Sequence, residues 1–314
     1  MLSQKIPILR DRAEMFSQAR QFFKERHVCE VDCPILSAAA SIDSNIELIP
    51  AQPHSGTRYM HSSPEYSMKR LLAAGMGNIF QLSHVFRNGE QGQRHNPEFT
   101  MAEWYRLGFS FLQMVEETVQ FIQLFLGNLP TQSLSYRELF QHYMSFDYLT
   151  ISLEDLLKLL DIWKIERYPA IETEGKDALL NLILGTVIEP QLGTEGLFVL
   201  THYPASQAAL SKTCLRGEES VGERFEIYYK GIELANGYHE LTDAAEQRTR
   251  LMQANADRLK NDKPALPIDE NFLHALGQGM PDCAGVAVGF DRLMMLRHHQ
   301  KQISAVIPFA WEEA

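Results

Sequence analysis

The sequence predicts an α+β fold in which an antiparallel sheet is flanked by helices. Two stretches, residues 79–106 and 224–240, have the alternation and turn signals that are typical of β-hairpins. Amphipathic stretches with helix-capping signals lie before, between and after them. The chain has 314 residues, 45% apolar and 22% charged, as in globular proteins. We expect a single domain over residues 1–314, although the length also allows two.

Charge and cysteine content narrow the class of protein. The formal net charge of −11 at pH 7 argues against a broad electrostatic surface for nucleic acid. The cysteines, whose spacing forms neither a CxxC pair nor a zinc site, are Cys29, Cys33, Cys214 and Cys283. No stretch approaches the ~20 apolar residues of a membrane span. We therefore expect a reduced, cytoplasmic protein with no structural disulfide and no membrane association.

The chain begins with a predicted helix, residues 9–27, whose apolar residues recur every three or four positions. A short strand over residues 28–31 follows. It is closed by Pro34, which cannot donate to a β-ladder and therefore belongs at an edge.

A second helix is predicted to open at the sequence Ser62-Ser63-Pro64-Glu65. Pro64 suits the first turn, and Ser62 and Glu65 have the spacing of a capping box. From spacing alone, capping is the favoured role of Glu65.

The first hairpin pairs residues 79–87 with residues 98–106 across a polar loop, residues 88–97. Alternation places Phe99, Met101, Glu103 and Tyr105 on one face, and Arg87 ends the first strand. A guanidinium can bind phosphate through two hydrogen bonds, and a carboxylate beside a phenol suits a primary ammonium. The alternative is an amphipathic hairpin with ordinary surface charges.

Residues 109–205 contain helices and no recognisable chemistry. The pairs Ser110 with Gln113, Ser135 with Glu138, and Ser152 with Asp155 have the spacing of helix caps. A strand is predicted over residues 198–203.

The second hairpin has its turn at Lys230-Gly231. Tyr228 then faces Glu233, and Glu226 lies diagonal to Glu233 on the same face. Two carboxylates so placed repel each other unless a cation neutralises them, and oxygen ligands suit Mg²⁺. The alternative is a pair of solvated glutamates on an open face.

A glycine-spaced strand and a helix are predicted over residues 279–296, with Asp291 and Arg292 in the first turn of the helix. Glycines allow a nucleotide to approach the backbone, and a helix N-terminus with an arginine attracts phosphate.

The string FRNGEQGQRHNPEFTMAEWY, residues 86–105, resembles motif 2 of class II aminoacyl-tRNA synthetases and is similar to the form found in the lysyl branch. The string GFDRL, residues 289–293, resembles motif 3, and the first helix, strand and proline resemble motif 1, which forms the dimer. The resemblance extends from Leu9 to about Leu296. Within the lysyl branch it is strongest to the short paralogues that ligate lysine or β-lysine to translation elongation factor P.

This resemblance implies a class II catalytic domain without an anticodon-binding domain, with ATP and Mg²⁺ as cofactors. Arg87 and Arg292 are expected to act on the phosphates, and Glu226 and Glu233 to hold the metal. The class pattern has Glu where this chain has Gly89, so either Glu90 or the Gly89 backbone is expected at the adenine amino group. The implied ATP-binding residues are Arg87, Asn88, Gly89, Glu90, His95, Asn96, Phe99, Glu233, Leu234, Gly289 and Arg292.

The resemblance also implies a pocket for a lysine-type substrate. Its residues are Ser63, Pro64, Glu65, Glu103, Tyr105, Asn236, Glu240 and Ala287. Lysyl-tRNA synthetases usually have glycine at position 287, and the extra methyl group fits a substrate whose amino group has moved, as in β-lysine. Regular alternation separates Asn236 and Glu240 from Glu233, so we expect a bulge near residues 235–237.

The implied reaction forms an aminoacyl adenylate and transfers the acyl group to a lysine ε-amino group of elongation factor P. The expected assembly is a homodimer that does not bind tRNA stably. The alternatives are a lysyl-tRNA synthetase-like enzyme that charges tRNA, an aspartate–ammonia ligase, and a regulatory paralogue without catalysis. Three glutamates disfavour an acidic substrate, and the presence of Arg87, Arg292, Glu226 and Glu233 disfavours the regulatory paralogue.

Overall fold

The structure is a computed structural model that describes residues 2–168 and 171–314. The chain forms two compact units, Met1–Gly127 with His239–Ala314, and Asn128–Tyr238. No helix in the described ranges is long and apolar enough to cross a membrane. Both units combine helices with β-sheet, so the α+β class that the sequence predicts is confirmed.

The helices are α1 Leu2–Glu25, α2 Glu65–Ala73, α3 Phe111–Leu126, α4 Tyr136–Met144, α5 Leu153–Ile162, α6 Ile171–Glu174, α7 Lys176–Ile183, α8 Ala244–Lys260, α9 Glu270–Gly277 and α10 Phe290–Arg297. The strands are β1 Cys29–Glu30, β2 Leu36–Ser37, β3 Ile49–Ala51, β4 Arg58–Met60, β5 Ile79–Phe86, β6 Glu98–Leu107, β7 Thr131–Ser135, β8 Leu197–Pro204, β9 Thr213–Arg216, β10 Glu219–Tyr229, β11 Ile232–His239 and β12 Cys283–Gly289.

The first unit is built on strands in the order β1-β5-β6-β12. β1 is parallel to β5, and the other two pairings are antiparallel. Helices α1 and α3 cover one face of this sheet, where Phe23 stacks on Phe80 with ring centroids 4.2 Å apart. Trp104 and Phe121 meet on the same face at 5.1 Å. A small sheet in the order β2-β4-β3 lies in the same unit.

The opposite face of this sheet carries polar residues, as the alternation in the first hairpin predicts. The register pairs Gln81 with Glu103 and Ile79 with Tyr105. Because side chains alternate along a strand, Glu103 and Tyr105 point away from the aromatic core that holds Trp104. The sheet thus separates a hydrophobic side from a polar side.

The second unit has strands in the order β11-β10-β8-β7, with β9 paired to β10. Its hydrophobic core joins the helices of residues 136–188 to the sheet, with Tyr136, Leu139, Phe140, Leu180 and Phe198 among its buried residues.

Three of the predicted helix caps are confirmed. Ser110 and Ser135 each form a capping box, and Ser152 accepts a hydrogen bond from Asp155 N. The predicted box of Ser62 with Glu65 is wrong. Helix α2 begins after Pro64, and it is Ser63 Oγ that accepts from Glu65 N, at 3.0 Å.

Candidate active site

Glu103 is the centre of the polar face in the first unit. Ser63 Oγ donates to its Oε2 at 2.7 Å, and Tyr105 Oη donates to its Oε1 at 2.8 Å. The strand register places Ala287 of β12 directly opposite Glu103, and Gly285 opposite Tyr105. Four of the residues expected in the substrate pocket therefore lie close together.

Glu65 and Glu240 belong to the same group and share a lysine. Lys69, one helical turn after Glu65 on α2, has its Nζ 2.6 Å from Glu65 Oε1 and 2.5 Å from Glu240 Oε2. The Lys69 side chain is 0% exposed, so the two carboxylates compensate for the loss of its hydration. The sequence pattern did not single out Lys69.

Gly285 lets Glu240 and Tyr105 approach each other over the sheet. A Cβ atom at Gly285 would lie 2.4 Å from both Glu240 Oε1 and the Tyr105 ring. Ala287 is next on this face of β12, and its methyl group stands beside Glu103. Gly285, which leaves no room for a side chain, and Ala287 thus line the same side of the pocket on β12.

Burial and like charges change the acidity of these groups. Burial, followed by the charge of Glu65, raises the pKa of Glu103 to about 8. Burial raises the pKa of Glu240 to about 7, against the opposing effect of Lys69. The pKa of Tyr105 is raised well above its ordinary value by burial and by Glu103, Glu65 and Glu240. A cationic ligand would offset the repulsion among the carboxyl groups of Glu65, Glu103 and Glu240 and favour their ionised forms.

Arg87 ends β5 with its guanidinium 5.1 Å from the centroid of the Phe99 ring. Its Nη1 lies 3.7 Å from Glu90 Oε2, too far for a strong hydrogen bond. Its Nε is buried, and no acceptor among the described residues reaches it. The guanidinium thus retains donors suited to an anionic ligand.

Arg292, in the first turn of α10, approaches the loop between β5 and β6. Its Nη2 lies 2.7 Å from His95 Nε2. Because arginine only donates, this bond requires His95 Nε2 to accept. The preceding Asp291 is buried, accepts from Thr100 N at 2.8 Å and pairs with Arg12 of α1, and so anchors the start of α10.

The loop of residues 88–97 is held by other parts of the first unit. Asn88 N donates to Glu47 O at 2.8 Å, and Gly89 has a φ of +77°, which a glycine adopts readily. Residues 303–312 add three contacts: Ile303 N donates to Gln93 O at 2.8 Å, Gln91 Nε2 to Glu312 Oε1 at 2.8 Å, and Trp311 N to Asn96 Oδ1 at 2.9 Å.

Asn96 was expected to contact ATP, but the structure gives its amide a role in the loop itself. Besides accepting from Trp311, its Nδ2 donates to Glu98 O at 2.6 Å. Both polar atoms of the side chain therefore bind backbone groups.

The second hairpin lies in the second unit, and its turn is confirmed. Tyr229 pairs with Ile232 and Tyr228 with Glu233. Lys230 and Gly231 have φ of +51° and +66°, the left-handed values of a type I′ turn.

The bulge that was expected near residues 235–237 exists and lies next to them. The register shifts between Ile227 and Tyr228, so that Leu234 is the extra residue, and Glu226 pairs with Asn236. The bulge lies just before residues 235–237, and it brings Glu226, Glu233 and Asn236 to one face.

Glu226 on this face is buried among donors. Tyr203 Oη donates to its Oε2 at 2.5 Å, Tyr228 donates to the same oxygen, and Arg224 donates to Oε1. Arg224 Nε also reaches Asn236 Oδ1 at 3.3 Å. Sequence reasoning missed Arg224, although its spacing of two from Glu226 on a strand was a usable signal.

Comparison with known proteins identifies relatives over nearly the whole chain. The family model of the class II tRNA synthetases (D, K and N) matches residues 3–313. A protein of Haemophilus influenzae (strain PittGG) is 44% identical over 99% of this chain and 97% of its own length. A protein of Pasteurella multocida (strain Pm70) is 42% identical, and one of Salmonella gallinarum (strain 287/91 / NCTC 13346) is 44% identical, with the same coverage. All three are named elongation factor P–(R)-β-lysine ligase.

Proposed function

Because this chain belongs to the class II tRNA synthetases of the D, K and N group, we propose that it is an ATP-dependent ligase that activates lysine or (R)-β-lysine. The acyl group passes from the aminoacyl adenylate to the ε-amino group of a lysine of translation elongation factor P. The names of its relatives state elongation factor P and (R)-β-lysine, and the relatives match nearly the full chain.

The pocket of Glu65, Glu103 and Glu240 is the observation that carries the proposal. These carboxylates lie with Lys69 and Tyr105 in the first unit. One buried ammonium leaves them with a net negative charge whenever all three are ionised. Such a pocket suits an amino acid that carries two ammonium groups and repels an acidic one, which disfavours an aspartate–ammonia ligase.

Activation of the amino acid requires in-line displacement at the α-phosphorus of ATP. A carboxylate oxygen of the amino acid forms a bond to phosphorus, the bond to the bridging oxygen breaks, and pyrophosphate leaves. We assign Arg87 and Arg292 to the phosphate charge, because both present guanidinium groups beside the loop of residues 88–97. Phe99, beneath Arg87, and the loop backbone at Gly89 are assigned to the adenine.

The second step is aminolysis of the adenylate. The acceptor's neutral amine attacks the carbonyl carbon, an amide bond forms, AMP leaves with the electron pair of the broken C–O bond, and the amine loses a proton. The chain's contribution to both steps is to position the reactants and stabilise charge.

We assign magnesium to Glu226 and Glu233, as the family resemblance implies. Glu226 Oε2 already accepts from two tyrosines, whereas Glu226 Oε1 accepts from Arg224 and can offer a second lone pair to a cation. The donor set therefore fits Mg²⁺, which takes one or two carboxylates and completes its shell with phosphate and water oxygens. No group of three or more His, Cys, Asp or Glu side chains in the described part of the chain is arranged to hold a metal. When bound, the ion would neutralise phosphate charge, and the ion pair with Arg224 orients Glu226 on the face it shares with Asn236.

We also propose a cytoplasmic homodimer that does not bind tRNA stably. All four cysteines are free thiols, which suits a reducing compartment. Exposed apolar side chains flank the elements that resemble motif 1, at Leu2, Ile6, Ile35 and Leu36.

ATP–pyrophosphate exchange tests the activation step. We expect exchange that requires lysine or (R)-β-lysine, and we expect Arg87→Ala to lower its rate by roughly 10²–10³-fold, because the developing phosphate charge loses a fixed donor. The exposed Arg70 on α2 provides the control, since Arg70→Ala removes a charge away from the loop. Exchange that aspartate supports equally well would contradict the lysine assignment.

A further inference from the structure

Lys69 is the buried cation of the glutamate pocket. It follows Glu65 by one turn on α2, its side chain is 0% exposed, and its Nζ reaches Glu65 at 2.6 Å and Glu240 at 2.5 Å. These two glutamates come from distant parts of the chain, one from α2 and the other from the residue after β11. A single ammonium therefore fixes the distance between them.

The other oxygen of Glu240 faces the pocket. Glu240 Oε2 pairs with Lys69, while Glu240 Oε1 lies over Gly285 beside the Tyr105 ring. Tyr105 in turn donates to Glu103. A displacement of Glu240 would therefore reach the Tyr105 ring, and through it the carboxylate of Glu103.

We propose that Lys69 is a positioning residue that sets isomer specificity: by holding Glu65 and Glu240 at a fixed separation, it determines where along its carbon chain a substrate can carry its ammonium groups. Lysine and β-lysine differ in the position of one amino group by one carbon. A carboxylate that moves by a comparable distance changes which isomer is bound better. This inference rests on the proposed function, because it assumes that the pocket binds a diamino acid.

The test is the kinetics of pyrophosphate exchange with each isomer in Lys69→Ala. A misplacement of about 1 Å can cost roughly 10²-fold. We therefore expect the KM for the amino acid to rise by about that factor, the KM for ATP to stay unchanged, and the kcat/KM ratio of (R)-β-lysine to lysine to change.

Chemical rescue separates the ammonium from the packing of its side chain. The group removed in Lys69→Ala corresponds to n-propylammonium, so adding this amine should lower the KM for the amino acid. The uncharged 1-propanol should not. In the unmodified protein the same amine should instead raise that KM by competing with the substrate.

Arg106→Met is the matched control. Arg106 is a buried cation whose Nε lies 3.5 Å from a Glu117 carboxylate oxygen, on the face of the sheet opposite the pocket. Loss of this buried charge is expected to change the stability of the protein and to leave the isomer ratio unchanged.

Three results would overturn the proposal. They are an unchanged KM for the amino acid in Lys69→Ala, equal rescue by 1-propanol, and an unchanged isomer ratio. If Lys69→Ala does not fold, Lys69→Arg decides, since it keeps the charge but moves it: an unchanged isomer ratio in that variant rejects the idea. Absence of lysine-dependent exchange in the unmodified protein would instead contradict the proposed function.

Discussion

Glu103 is a buried carboxylate whose pKa of about 8, raised first by burial and then by Glu65, lies far above its ordinary value of 4.5. The folded protein therefore binds a proton that the unfolded chain has released. The stabilisation from this proton is complete below about pH 4.5 and is lost as the pH rises through 8. A substrate ammonium, in contrast, binds best to the ionised carboxylate.

The proton and the substrate ammonium thus compete for Glu103. We therefore predict that binding of lysine or (R)-β-lysine at pH 7 releases protons. We also predict that the KM for the amino acid falls as the pH rises from 6 to about 8. Calorimetry in buffers of different ionisation enthalpy measures the release. Glu103→Gln, which cannot lose a proton, should reduce it. Release of equal size in both proteins would show that Glu103 is already ionised.

Gly285 is a second residue whose role can be tested. Gly285→Ala places a methyl group 2.4 Å from Glu240 Oε1 and the Tyr105 ring, so these side chains must move. We expect the KM for the amino acid to rise about tenfold or more, as misplacement of binding groups does. Gly277→Ala is the control, because its added methyl meets only Ala244, at 3.9 Å. Similar kinetics in both variants would contradict the crowding that we describe.

Prediction of single residues succeeded where the alternation of side chains along a strand decided which face of the sheet a residue lies on. Glu103 and Tyr105 follow from the period of β6, and the structure places them together. Lys69 was missed because a lysine beside Met68 on a helix is ordinarily assigned to solvent. Its spacing of four from Glu65 was the available signal, but only the fold brings Glu240 to its other side.

At the scale of elements, the turn of the second hairpin makes a prediction about stability. Lys230 has a φ of +51°, which is unfavourable for a residue with a side chain, so Lys230→Gly should stabilise the second unit by about 0.5–1 kcal/mol. Gly231→Ala should destabilise it, because φ is +66° and the new methyl would lie 3.0 Å from the Pro190 backbone.

Urea unfolding of these variants measures the effect. Gly217→Ala is a useful control, since Gly217 also has a positive φ, +64°, but no atom of the described chain within 4 Å of the added methyl. Gly217→Ala should show the cost of a positive φ alone, without a close contact like that of Gly231→Ala with the Pro190 backbone. A Gly231→Ala variant no less stable than Gly217→Ala would contradict the contact with Pro190.

The bulge shows why elements are predicted better than their registers. The turn at Lys230-Gly231 follows from local residue preferences. The shift at Leu234 depends on how β10 fits its partner strand, and no residue in β11 marks it alone. The composition of the face and the neighbourhood of the bulge were expected, whereas the identity of the extra residue was not.

At the scale of the whole molecule, the acidic charge balance bears on the acceptor. With a net charge of −11, the protein has little general attraction for a polyanion, and any weak tRNA binding should fall steeply with salt. We predict that, offered ATP and (R)-β-lysine, the protein increases the mass of elongation factor P by one acyl group. Mass spectrometry measures this increase. A hydroxylamine-labile ester on tRNA, with an unmodified factor, would contradict the prediction.

Local sequence patterns predict much of the architecture, but they do not predict its division into two compact units. The hairpins and three caps follow from residues near one another in sequence. The division at residues 127 and 239 joins two distant segments into one unit, and no change in composition marks it.

The support of the loop at residues 88–97 has a consequence for synthesis on the ribosome. Asn96 and Trp311 are 215 positions apart, so the loop leaves the ribosome long before the backbone that holds it exists. We expect nascent chains that end before residue 303 to leave this loop open to protease while β5 and β6 are already protected, and pulse proteolysis of stalled chains would reveal the difference. The nucleotide site would then be among the last parts of the protein to mature, and an incomplete chain would not consume ATP.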